Sequence, residues 1–129
     1  MREGCSGRCR TLLYISGLWR EGLREFEAGD QARGEFLQRM ALAVLGELGG
    51  FPVIEAKIRN NLGVILCCAG RSAEARWEFS QALTLLSGRI APGSRFQEVV
   101  VRNYKQSLAS QALPPALEAG SRRSLAEAV

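Results

Sequence analysis

Residues 56–87 read AKIRNNLGVILCCAGRSAEARWEFSQALTLLS. Apolar residues recur at three and four on both sides of Gly70: Ile58, Leu62, Ile65 and Leu66 before it, then Ala75, Phe79, Ala82, Leu83 and Leu86 after it. That spacing is the period of an α-helix with one buried face. Gly70 can end the first helix with positive φ, and Ser72 is placed to cap the second. A connection this short makes the two helices antiparallel. Gly63, Ala75 and Ala82 are small where such helices would cross, and Leu62 and Phe79 supply volume beside them.

The same grammar extends outward in both directions. Pro52 suits the first turn of the helix that carries Ile58, because its missing N–H would have no partner there. Upstream, Leu12, Ile15, Leu18, Trp19, Leu23 and Phe26 predict a helix over 11–28, closed by Gly29. Asp30 is a candidate cap for a second helix running to about Leu48, with Ala32, Phe36, Met40 and Val44 as its apolar positions and Gly49-Gly50 as its stop. Downstream, Gly88, Pro92 and Gly93 mark a loop, and Ser94 with Gln97 is a capping-box pair opening a fifth helix. Val100, Val101, Tyr104 and Leu108 are its apolar face, and Pro114-Pro115 stops it. No segment alternates with period two between turn signals, so strands are not expected. The expected organisation is a flexible lead over 1–9, one helical domain over 10–111 and a tail over 112–129 that is loose or a short helix.

Internal repetition makes the reading more specific. ARGEFLQ at 32–38 aligns with ARWEFSQ at 75–81, five identities in seven at an offset of 43. An offset of 42 pairs Ile54 with Phe96, Ile58 with Val100, Asn61 with Asn103 and Leu66 with Leu108. Two helices repeating at nearly one distance define a two-helix unit, which cannot bury its apolar face alone and must stack on neighbours.

The run Asn61-Leu62-Gly63, then Gly70, Ala75, Phe79 and Ala82-Leu83, resembles the tetratricopeptide-repeat signature over one repeat at 56–87. Helix 94–111 resembles its first helix alone, and 11–48 resembles it in the second helix. The family's aromatic at the start of its first helix is replaced by Arg59, and the spacing resembles the family's longer, 42-residue variant. The resemblance implies an all-α fold of about five helices, antiparallel pairs stacked as a short right-handed solenoid. It also implies a concave groove that accepts a peptide or helix of another protein. By that resemblance the groove positions are Lys57, Asn60, Asn61, Val64, Cys67 and Cys68 on the third helix, and Arg102, Asn103, Gln106, Ala109 and Ser110 on the fifth. Asn61 and Asn103 would bracket a ligand peptide unit with donor and acceptor, bond the backbone of a neighbouring helix, or simply face water. A clamp for a chaperone's C-terminal carboxylate would need basic residues where Val99 and Asn103 stand, which counts against that use.

Other function classes find little footing. With 129 residues, 47% of them hydrophobic, the chain can form a core, and its net charge of +4 is spread among glutamates, as in Glu74-Arg76-Glu78. That is a solvated mixed-charge surface, not the clustered basic face of a nucleic-acid binder. There is no His and one Asp. An enzyme would need a nucleophile with an activator, an acid–base group or a metal, so no catalysis and no cofactor are expected. Cys5, Cys9, Cys67 and Cys68 lack paired CxxC spacing, and adjacent residues on a helix point about 100° apart. They are read as reduced thiols of a cytoplasmic protein, with no metal. The apolar run Thr11–Trp19 is too short to span a bilayer, and Arg20-Glu21 follow it in place of a cleavage site. The expected partner is another protein. A homodimer through the fifth helix is the alternative, because Val99-Val100-Val101 cannot all hide on one face.

Overall fold

The computed structural model describes residues 2–110 and contains five helices: α1 (Arg2–Glu27), α2 (Gln31–Leu48), α3 (Pro52–Cys68), α4 (Ser72–Leu86) and α5 (Arg95–Ser110). No strand occurs among the described residues. The fold is all-α, as the periodicity requires. Four helices lie close to their expected bounds. The fifth, α1, starts well before Thr11 and takes up most of the expected lead over 1–9. Gly4 and Gly7 do not prevent this, because a glycine weakens a helix by only about 1 kcal/mol and does not break it. The hydroxyl of Thr11 donates to the Gly7 carbonyl at 3.0 Å.

The chain divides into two compact units, one ending at Phe51 and the other beginning at Pro52. The 112–129 tail lies outside the described residues.

The first unit is the α1/α2 hairpin. Gly29 takes φ of +105°, open to glycine at little cost, and lets the chain reverse within three residues. The Asp30 carboxylate then accepts from the Arg33 amide at 3.0 Å, satisfying an orphan N–H at the start of α2. Ile15 and Phe26 of α1 are buried, as are Gly34, Leu37, Gln38, Ala41 and Leu45 of α2. The α2 stripe is therefore not the expected one: Ala32 and Phe36 are exposed, and Met40 and Val44 are half-buried. The Arg8 guanidinium lies 5.2 Å from the Phe51 ring centroid, over the end of the same unit.

In the second unit α4 packs on both α3 and α5, and α3 touches α5. Gly70, at φ +79°, reverses the chain between α3 and α4. Ser72 is not the cap; Arg71 holds that place without a side-chain capping bond, its guanidinium donating to Glu74 instead, and Ser72 is the first helical residue. Ser94 does accept from the Gln97 amide, at 3.3 Å. Phe79 is fully buried, worth up to about 3 kcal/mol of transfer free energy. A Cβ added at Gly63 would stand 2.5 Å from the Phe79 ring, so the helices cross there as closely as a glycine allows.

Gly22 does the same in the first unit, where an added Cβ would meet Gln38 Nε2 at 2.8 Å. Gly22 with Gln38 and Gly63 with Phe79 have the same spacing. The hairpins therefore correspond at forty-one residues, with Gly29 on Gly70, Gly34 on Ala75, Ala41 on Ala82 and Leu45 on Leu86. This replaces the offset of 43. Phe36, aligned by sequence with buried Phe79, corresponds in packing to Trp77, and both are exposed.

Candidate functional site

The expected groove residues do not form one surface. Asn60, Asn61, Val64, Cys67 and Asn103 are buried. Lys57, Arg102 and Ala109 are exposed, while Gln106 and Cys68 are half-buried. The side chain of Ser110 lies outside the described residues. The physical reason is α3 itself: every residue from Asn60 to Cys67 is buried, so this helix has no open face along its second half. The Lys57 ammonium, nearer the start, lies 6.0 Å from the Phe96 ring centroid.

Asn103 Nδ2 donates to Asn60 Oδ1 at 3.0 Å, both side chains being fully buried. Asn103 thus ties two helices, through a side chain and not through the helix backbone expected for such a bond. The neighbouring amide of Asn61 finds no partner among the described residues for either its oxygen or its nitrogen. Gln38, in the other unit, donates to the Trp19 carbonyl at 2.9 Å. These polar groups belong to the helix packing and are sealed from any ligand.

In each unit an aromatic side chain of the second helix reaches solvent. Trp77 is 54% exposed on α4, and its counterpart Phe36 is 58% exposed on α2. The Arg59 guanidinium lies 5.4 Å from the Trp77 ring centroid. Arg59 Nε donates to Glu55 Oε2 and Nη1 to Glu78 Oε1, each at 2.9 Å. Burial works against the guanidinium's charge, but the two carboxylates outweigh it and raise its pKa further. Arg59, the departure from the family's aromatic, is therefore an anchored cation against which Trp77 rests. The local signal was present: Glu55, Arg59 and Glu78 occupy i, i+4 and facing positions around a tryptophan.

A second open region is α5. Gln97, Val101, Arg102, Lys105, Gln106 and Ala109 form one stripe of it beside an open space of about 590 Å³. Val99 and Val100 are buried and Val101 is half-buried, so the three-valine run is mostly hidden within the unit. Among the described residues no group of three or more His, Cys, Asp or Glu could hold a metal ion. Cys9 is exposed, Cys67 buried and Cys68 half-buried. No described helix is long and apolar enough to cross a membrane. No family model, no curated protein and no solved structure matches the chain.

Proposed function

We propose that this chain is a non-catalytic protein-binding module, an adaptor of tetratricopeptide type working in the cytoplasm, and that it anchors its partner on Trp77. The observation that carries this reading is the equivalent exposure of Trp77 and Phe36, each within its own unit. Two hairpins in one packing register each leave a large aromatic more than half exposed at the same position of the second helix. Aromatic side chains are the residues that most often dominate binding energy at interfaces. Trp77 is also held in place before any partner arrives, by an arginine itself pinned at both ends. A side chain already ordered loses less entropy on binding. The tetratricopeptide assignment draws on the close crossings at Gly22 and Gly63, on the burial of Ala75 and Ala82, and on the quoted signature. The buried asparagines move the partner surface away from the row first expected for it.

The test is affinity capture from the native cell with quantitative mass spectrometry, comparing the wild-type chain with Trp77→Ala. A hot-spot truncation costs about 2 kcal/mol, or about thirtyfold in affinity. Proteins held through Trp77 should be depleted at least about tenfold from the variant, while its thermal melt stays close to wild type. An unchanged set of captured proteins sinks the assignment of Trp77 as anchor.

A further inference from the structure

The setting of Trp77 is charged where that of Phe36 is not. The forty-one-residue correspondence between the hairpins sets Tyr14, Leu18 and Leu37 of the first on Glu55, Arg59 and Glu78 of the second. Leu37 and Glu78 are buried alike, each 6% exposed. The first hairpin therefore folds in this register with uncharged side chains at all three positions, so the crossing itself does not call for ions there. Replacing a buried ion pair by apolar side chains of similar size is often neutral or stabilising. The second hairpin keeps its three charges beside the exposed aromatic although the packing can do without them, which points to a use outside the fold.

The three charges are not placed alike. Glu78 is enclosed and accepts from Arg59 Nη1. Glu55 gives Arg59 only one oxygen, Oε2, and its side chain is 33% exposed. The guanidinium between them lies 5.4 Å from the Trp77 ring centroid, so indole, arginine and open carboxylate stand side by side. At three and four residues from Trp77 along α4 come Ala73, Glu74, Ser80 and Gln81, none of them a cation, and Glu74 is held by Arg71. We propose that the partner residue received at Trp77 is cationic, an arginine or lysine side chain that lies against the indole and pairs with the exposed Glu55 carboxylate. This rests on Trp77 being the partner's anchor. An aromatic face and a carboxylate both attract a cation, and two carboxylates around one guanidinium keep Arg59 from repelling it. An acidic segment, a nucleic-acid phosphate or an anionic lipid would meet Glu55 with the wrong sign. Phe36, with Tyr14 and Leu18 in the equivalent places, has no counter-charge to offer and lacks this selectivity.

A phage-displayed library of random dodecapeptides, panned on the full wild-type chain, supplies the probe. Peptides that lose binding to Trp77→Ala should carry an arginine or lysine at a shared position. In a synthetic copy, exchanging that arginine for citrulline, or that lysine for norleucine, should weaken binding to the wild type about fivefold or more. Glu55→Gln keeps an oxygen for Arg59 and removes the charge. It should narrow the difference between the two copies to about twofold, with a thermal melt close to wild type, so that the loss is a coupling between Glu55 and the peptide's cation. Trp77-dependent peptides without a cation overturn this inference and leave Trp77 as the anchor. So does a difference between the two copies as large in Glu55→Gln as in the wild type. A library that yields no Trp77-dependent peptide overturns the anchor itself, and this inference with it.

Discussion

Gly63 and Gly46 are both helical glycines, and they make opposite predictions. A methyl group at Gly63 has Phe79 ring atoms within 2.8 Å, and that ring is fully buried with nowhere to retreat. Overpacking of this kind costs about 1–3 kcal/mol, more than the roughly 1 kcal/mol that alanine gains over glycine in a helix. At Gly46 nothing lies within 4 Å, so only the propensity gain remains. Thermal or urea melts should therefore show Gly63→Ala destabilised and Gly46→Ala stabilised by about 0.5–1 kcal/mol. Equal shifts in the same direction would place the crossing elsewhere. Gly63 was legible beforehand because it sits beside Leu62 within a strongly apolar run. Gly22 was not, because its neighbours Glu21 and Leu23 give it no such context. For α2 two stripes of helical period compete, Ala32-Phe36-Met40-Val44 and Gly34-Gln38-Ala41-Leu45. Hydrophobicity favours the first, but the chain buries the second, where Gly34 and Leu37 lie against Gly22 and Gln38 donates to the Trp19 carbonyl.

Along α3 the difficulty was of another kind. Its boundaries and apolar positions could be read, yet the asparagines looked like a solvent-facing row because that is where asparagine usually lies. Their burial depends on what surrounds the helix on every side, which no period within α3 reports. The consequence for stability can be measured. Asn61 carries a buried amide with neither end satisfied, and such a group costs about 1–3 kcal/mol. Asn61→Leu, which keeps the branched outline of the side chain, should stabilise the fold by about 1 kcal/mol where the larger methyl groups are accommodated. Asn103→Ala should do the reverse, by about 1–3 kcal/mol, since it strips Asn60 Oδ1 of the Asn103 donor and opens a cavity. Chemical denaturation of the two variants distinguishes these outcomes. If Asn61→Leu lost stability as Asn103→Ala does, the Asn61 amide would have to be satisfied.

For the chain as a whole, helix number, order and turn positions followed from periodicity and from Gly29, Gly70 and the loop at 88–93, all local signals. The division at Phe51 did not. Gly49-Gly50 reads equally well as a turn inside one domain or as a junction between two units, and only the distribution of long-range contacts separates those cases. The exposed Trp77 and its arginine were half legible. The charges stand at helical spacing, but their meeting across two helices required the hairpin.

The reach of the ties described above has a bearing on how the chain folds. Within the hairpins they are short in sequence: Trp19 with Gln38 and Arg59 with Glu78 each span 19 residues. The Asn60–Asn103 bond spans 43 and joins helices that α4 separates along the chain. Closing a short loop loses less entropy than closing a long one, and local contacts speed folding. The hairpins therefore nucleate, and the asparagine pair joins after the rate-limiting barrier. In stopped-flow kinetics Asn103→Ala should raise the unfolding rate and leave the refolding rate within about twofold of wild type. A slowed refolding limb would put that bond in the nucleus instead. With the bond forming late, Asn60 and Asn103 act as a latch: they set how long the second unit stays folded, and the hairpins set how fast it gets there.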